Sequence, residues 1–149
     1  MPDSIFAKIV AGELPAEIVY QDDRHLAFLS IMPHNPGHTI VIPKQTDTGN
    51  FWEMEPSALA ELVTCAQTVS RVLLSELKPK RIGLVFEGFG VEDYVHINLV
   101  PINQPGDLDH GAAHAVSPAE LAKVADRLRT AFEANIDGSS TAKNKENPT

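Results

Sequence analysis

Between Pro56 and Leu77 the residues Leu59, Leu62, Val63, Ala66, Val69, Leu73 and Leu77 recur at helical offsets and trace one apolar stripe. Pro56 suits the first turn of a helix, and Pro79 marks its stop. A helix with one apolar stripe needs a partner layer, and the flanking segments are patterned to supply one. On the N-terminal side, Ile5, Phe6, Ile9 and Val10 fall on one face of a short helix that Gly12 ends. Glu17 to Tyr20 and Leu26 to Leu29 read as strands joined by a turn at Gln21-Asp22-Asp23-Arg24. The two prolines and the glycine of Pro33-His34-Asn35-Pro36-Gly37 interrupt the chain, and His38 to Pro43 resumes as a β-branched strand. Beyond the helix, Arg81 to Phe86 and Tyr94 to Pro101 read as two more strands. Ser117-Pro118-Ala119-Glu120 combines an N-cap serine, a first-turn proline and a capping-box glutamate, opening a last helix that should run to about Asn135. The predicted fold is α+β: a mostly antiparallel five-stranded sheet with a long helix and short terminal helices. One domain is expected over residues 1–136, and the polar stretch 137–149, which has no apolar anchor, reads as a disordered tail.

Composition narrows the function classes. The chain has 149 residues with 43% hydrophobic and 21% charged, which excludes a largely disordered or fibrous protein. Its net charge of −8 would repel a nucleic-acid duplex, yet it leaves room for a mononucleotide held locally by histidines and amides. No apolar run has the ~20 residues that a membrane span needs, and Met-Pro-Asp-Ser lacks a basic leader. The single cysteine, Cys65, excludes an internal disulfide framework, so a cytoplasmic setting is expected. No partner histidine is indicated for Cys65 by spacing, and it reads as packing on or near the long helix.

The segment Tyr94-Val95-His96-Ile97-Asn98-Leu99-Val100 alternates, so that Tyr94, His96 and Asn98 share one strand face. Such a face either shows polar residues to water or grips a small polar group.

Four segments decide between these readings. Ile5-Phe6-Ala7-Lys8-Ile9-Val10-Ala11-Gly12-Glu13-Leu14-Pro15, Leu26-Ala27-Phe28-Leu29, Pro36-Gly37-His38-Thr39-Ile40-Val41-Ile42-Pro43-Lys44 and His96-Ile97-Asn98-Leu99-Val100-Pro101 resemble, in order and spacing, the histidine triad (HIT) family. The resemblance covers roughly residues 4 to 103. It implies a nucleotide-binding hydrolase or nucleotidyl transferase in which His96, at the middle position of the triad, attacks the α-phosphate of a nucleotide conjugate. A nucleotidyl-histidine intermediate would form and then be hydrolysed. The resemblance places His38 as a residue that positions or polarises the phosphate, and it assigns Ile5, Phe6, Ile9, Phe28 and Ile31 to the lining of the base pocket. Those apolar residues are equally suited to the core. No cofactor is implied, and a homodimer is.

The departures from the family motif are as informative. Tyr94 and Asn98 occupy the first and third triad positions, so one triad histidine of three is present. Asn98 can donate an N–H bond to a phosphate oxygen but cannot exchange a proton near neutral pH. Ser30 stands where the family usually has an aspartate for the ribose hydroxyls, and Phe86 where an asparagine is common. A zinc-binding Cys-x-x-Cys pair found in some members is replaced by Ser4 and Ala7, and His110 and His114 read as loop histidines, so no metal is expected. His25 and His34 read as turn or surface residues. The alternative from another class is a catalytically weak nucleotide-sensing or partner-binding module that kept the fold.

Overall fold

The structure, a computed structural model, describes residues 4–146, with side chains through residue 134. Helix α1 (Ile5–Val10) is opened by Ser4, whose hydroxyl accepts the Phe6 N–H at 3.2 Å, and it buries Phe6 and Ile9. Strands β1 (Ile18–Gln21), β2 (His25–Leu29) and β3 (Thr39–Pro43) follow as an antiparallel meander. Helix α2 spans Pro56–Leu77, as its stripe predicts, and is followed by β4 (Arg81–Val85) and β5 (Ile97–Ile102). All pairings are antiparallel, and the sheet order is β1-β2-β3-β5-β4.

The sheet has two faces with different duties. On one, Val19, Ala27, Leu29, Val41, Val95, Ile97 and Leu99 pack on Leu62, Cys65, Ala66, Val69, Val72 and Leu73 of α2 and on Ala125, Leu128 and Phe132 of the last helix. On the other, Leu26, Phe28, Ile42 and Tyr94 pack on Phe6 and Ile9 of α1. Val63, predicted inside the α2 stripe, is 39% exposed, whereas Cys65 and Val72 are buried.

Two boundaries differ from expectation. The segment Tyr94-Val95-His96 precedes the ladder of β5 rather than belonging to it. Its side chains nevertheless alternate, with Tyr94 in the α1 cluster and Val95 in the α2 cluster. The last helix, α3, runs Pro118–Glu146, past the expected end near Asn135, so it is not a short terminal helix. A lone Gly138 costs only ~1 kcal/mol in a helix, and the Ala, Lys and Glu residues that follow are helix formers. The tail expected over 137–149 falls on residues whose side chains lie outside the described part, the last three wholly so. No described helix is long and apolar enough to cross a membrane.

Candidate functional site

His96 sits just before β5, 6% exposed, with its ring edge-on to Phe6 at a centroid distance of 4.9 Å. Phe6 in turn contacts Phe28 at 5.5 Å and Tyr94 at 6.1 Å, so α1 forms an apolar wall behind the imidazole. The His96 Nδ1–H donates to the Tyr94 carbonyl at 2.9 Å. That bond fixes the neutral tautomer with its lone pair on Nε2. Burial lowers the His96 pKa below the usual histidine value, with opposing contributions from the Tyr94 bond and the Glu87 carboxylate. A buried, neutral imidazole with a free Nε2 has what a nitrogen nucleophile needs.

Tyr94 has a structural duty at this end of the sheet. Its hydroxyl donates to the Pro43 carbonyl at 2.5 Å, pinning the segment before β5 to the end of β3. Burial pushes its phenol up to about 12, so the proton stays in that bond.

His38 and Asn98 are brought together by the register of β3 and β5, in which Ile40 faces Asn98. The His34 backbone N–H donates to His38 Nδ1 at 3.2 Å, leaving the His38 proton on Nε2. That Nε2–H donates to Asn98 Oδ1 at 2.8 Å. The bond orients the amide, and the Asn98 NH₂ is left as the free donor. Burial lowers the His38 pKa, partly offset by the Asn98 bond, so His38 is a neutral donor. The loop before β3 is anchored from outside: Asn35 donates to the Pro101 carbonyl at 2.8 Å and to Asp107 at 2.9 Å, and the His34 Nδ1–H donates to the Asp107 carbonyl at 2.7 Å. His34, read as a turn or surface residue, is part of the support of His38, its ring 5.2 Å from the His38 ring.

Among the expected pocket residues, Phe6, Ile9 and Phe28 are together in the buried α1 cluster. Ile5 and Ile31 are 53% and 73% exposed and line neither the cleft at His96 nor the cavity at Ser30. Ser30 is buried, and its hydroxyl accepts the Met32 N–H at 3.1 Å, a local turn bond. Ser30 and His38 line a small cavity of about 70 Å³ with His114 and Glu120.

His96 opens on a different and larger cleft, of about 370 Å³. Its walls are Phe51, Trp52, Phe86, Phe89, Glu87 and Glu92. Trp52 and Phe89 are 70% and 75% exposed, while Phe51 packs against Phe86 with centroids 4.9 Å apart and rings tilted by 39°. Of these residues the sequence reading singled out only Phe86. The others lie on two irregular segments with no periodic signal, and only folding joins them. The His110 imidazole lies 3.0 Å from Glu87, and His114 Nδ1–H donates to the Ala112 carbonyl, so these two histidines do not share a partner.

The arrangement can be compared with known proteins. Residues 11–104 match the HIT domain family model. An uncharacterized HIT-like protein of Methanocaldococcus jannaschii is 34% identical over 108 residues, 65% of this chain and 77% of its own. The protein hit of Bacillus subtilis is 32% identical over 108 residues, 69% of this chain and 73% of its own. Among solved structures, a zinc-bound histidine triad family protein from Mycobacterium smegmatis superposes with a TM-score of 0.77 at 26% identity, covering 92% of this chain and 97% of its own. A hypothetical histidine triad nucleotide-binding protein from Sulfolobus tokodaii gives 0.73 at 25% identity, covering 87% and 91%. With all five strands of its sheet inside the matched segment, this chain belongs to the HIT family.

Proposed function

We propose that the protein is a cytoplasmic nucleotide hydrolase or nucleotidyl transferase acting on the α-phosphate of a nucleotide conjugate. His96 Nε2 attacks phosphorus, the bond to the leaving group breaks, and a nucleotidyl-histidine forms. Water then attacks the same phosphorus and releases the nucleotide and a free imidazole. His38, through Asn98, presents N–H donors to the phosphate oxygens. Phe6, with Ile9 and Phe28 packed behind it, supplies the apolar side of the site against the His96 ring; Ile5 and Ile31, exposed and outside the His96 cleft, and Ser30, in a separate cavity, are base and ribose contacts only as the family resemblance implies. The observation that carries this reading is the His96 Nδ1–H bond to the Tyr94 carbonyl, which leaves Nε2 as the open, unprotonated nitrogen facing a cleft.

Asn98 supplies no proton to the departing group, so conjugates whose leaving groups depart unaided, such as acyl or pyrophosphoryl adducts, are the preferred substrates. A specific observation favours the second reading, a nucleotide-binding module with weak catalysis: Glu87 and Glu92 line the His96 cleft and oppose an entering phosphate. Intact-protein mass after brief incubation with adenosine and guanosine phosphoramidates and acyl-adenylates separates the two. A nucleotidyl adduct on His96, absent from His96→Ala, supports the enzyme and names the base. Ligand binding that survives His96→Ala, with no adduct and no product from the native protein, supports the module.

We also propose a homodimer. Leu84 on the edge strand β4 is 45% exposed, and Val63 and Leu74 of α2 are 39% and 41% exposed, as an unpaired interface would leave them. Light scattering at micromolar protein should give twice the chain mass; a monomer mass would refute it.

A further inference from the structure

The fold gathers three ligand-type side chains far from His96 in the chain. Asp22 lies in the β1–β2 turn, His25 opens β2, and Cys65 lies on the buried side of α2. A carboxylate oxygen, a ring nitrogen and the Sγ of these residues all lie within 4.8 Å of one another. Among the described residues this is the one such group of three. His25, read from the sequence as a turn or surface residue, is 7% exposed. Its Nδ1 lies 3.0 and 3.2 Å from the two Asp22 oxygens. Asp22 itself accepts from the backbone N–H groups of Arg24 and His25, both at 2.8 Å, which orients its carboxylate toward His25 before anything binds.

We propose that Asp22, His25 and Cys65 form a binding site for a divalent metal ion of the zinc class. Zinc bonds of roughly 2.0–2.3 Å in a tetrahedron set ligand atoms about 3.4–3.6 Å apart, so contraction of about 1 Å completes the set. Thiolate, imidazole and carboxylate together suit zinc or cobalt rather than calcium or magnesium, which take oxygen ligands. Binding replaces the Sγ–H bond of Cys65 by an Sγ–metal bond, and the proton leaves to solvent. The two negative ligands then balance the dication.

Access is built in. An open depression of about 310 Å³ is lined by all three ligands together with Tyr20, Glu61, Thr64 and Thr68. Three protein ligands leave the fourth tetrahedral position toward that depression, where water fits. Burial pushes the free Cys65 thiol up to about 12, which keeps the apo site inert toward oxidants and reserves the sulfur for a metal strong enough to displace the proton. The ion would staple the β1–β2 turn to α2, two elements otherwise joined at this end by the exposed Arg24–Glu61 pair.

The test uses the full chain, stripped with a chelator and titrated with cobalt(II), then zinc(II). One equivalent of cobalt should bind with a thiolate-to-metal charge-transfer band, and zinc should displace it. Cys65→Ser should abolish the band. Asp22→Asn keeps the backbone bonds of the turn, preserves the fold by circular dichroism, and should weaken binding at least tenfold. His114→Ala, which removes an exposed loop imidazole outside the site, should leave the band unchanged. A native protein with no stoichiometric band, a band that survives Cys65→Ser, or one lost in His114→Ala, each overturns the proposal.

Discussion

At the residue scale the site depends on which nitrogen of each histidine carries the proton. His96 gives its Nδ1–H to a backbone carbonyl and keeps Nε2 free; His38 does the reverse, receiving at Nδ1 and donating from Nε2 to Asn98. His96→Ala should therefore remove adduct formation completely while leaving circular dichroism unchanged. Because burial lowers the His96 pKa, Nε2 stays unprotonated at pH values where an exposed histidine is already charged. The pH at which single-turnover adduct formation falls by half should therefore lie below the ordinary histidine value of about 6.5. A rate that halves near pH 7 would contradict it. Asn98→His restores a group that can pass a proton. Turnover of alkyl-amine conjugates should then rise by on the order of 10²–10⁴ relative to p-nitrophenyl esters, the range of general acid catalysis. Equal turnover of both substrates by the native protein would refute the leaving-group argument.

At the scale of elements, α2 ends on Lys78 in the left-handed conformation with φ 53, its N–H bonded to the Leu74 carbonyl at 3.1 Å. A glycine adopts this cap without the Cβ strain. Lys78→Gly should raise stability by ~0.5–1 kcal/mol, read as a higher urea midpoint. Gly49 works by close approach instead: a Cβ there would collide with the Glu92 carbonyl of the β4–β5 loop. Gly49→Ala should force apart the walls of the His96 cleft, lowering kcat/KM more than it lowers the melting temperature. At the other end, Arg129 of α3 donates to the Ile18 carbonyl and to Glu17, each at 2.7 Å, which fixes α3 across the β1 edge.

At the scale of the whole molecule, two buried histidines make folding sensitive to acid. The pKa values of His38 and His96 are both lowered in the folded state. The unfolded chain thus binds more protons as pH drops through its ordinary histidine value of about 6.5. Their contribution is complete above that value and is lost as pH falls through the folded pKa values. Urea midpoints should decline from pH 7 to 5, and His38→Gln should flatten part of that decline. An unchanged midpoint would mean that these histidines are protonated without cost.

Much of the fold was legible because it rests on period and punctuation. The apolar stripe and two prolines define α2, and alternation sends Tyr94 and Val95 to opposite faces even outside a ladder. Ser117 caps α3 through its bond to the Glu120 N–H, as the local motif requires. The resemblance named His38, His96 and Asn98, since a family motif is a pattern of neighbours in sequence. The sequence could not show which nitrogen each histidine keeps free, because that is decided by the Tyr94 carbonyl and the His34 amide in three dimensions. Nor could it show that Phe51, Trp52 and Phe89 wall one cleft, or that Asp22, His25 and Cys65 converge. The first three come from a 3-10 turn and the β4–β5 loop, the last three from a turn, a strand and a helix that no spacing relates, and only tertiary packing, for the last three that of α2 against the sheet, sets them side by side.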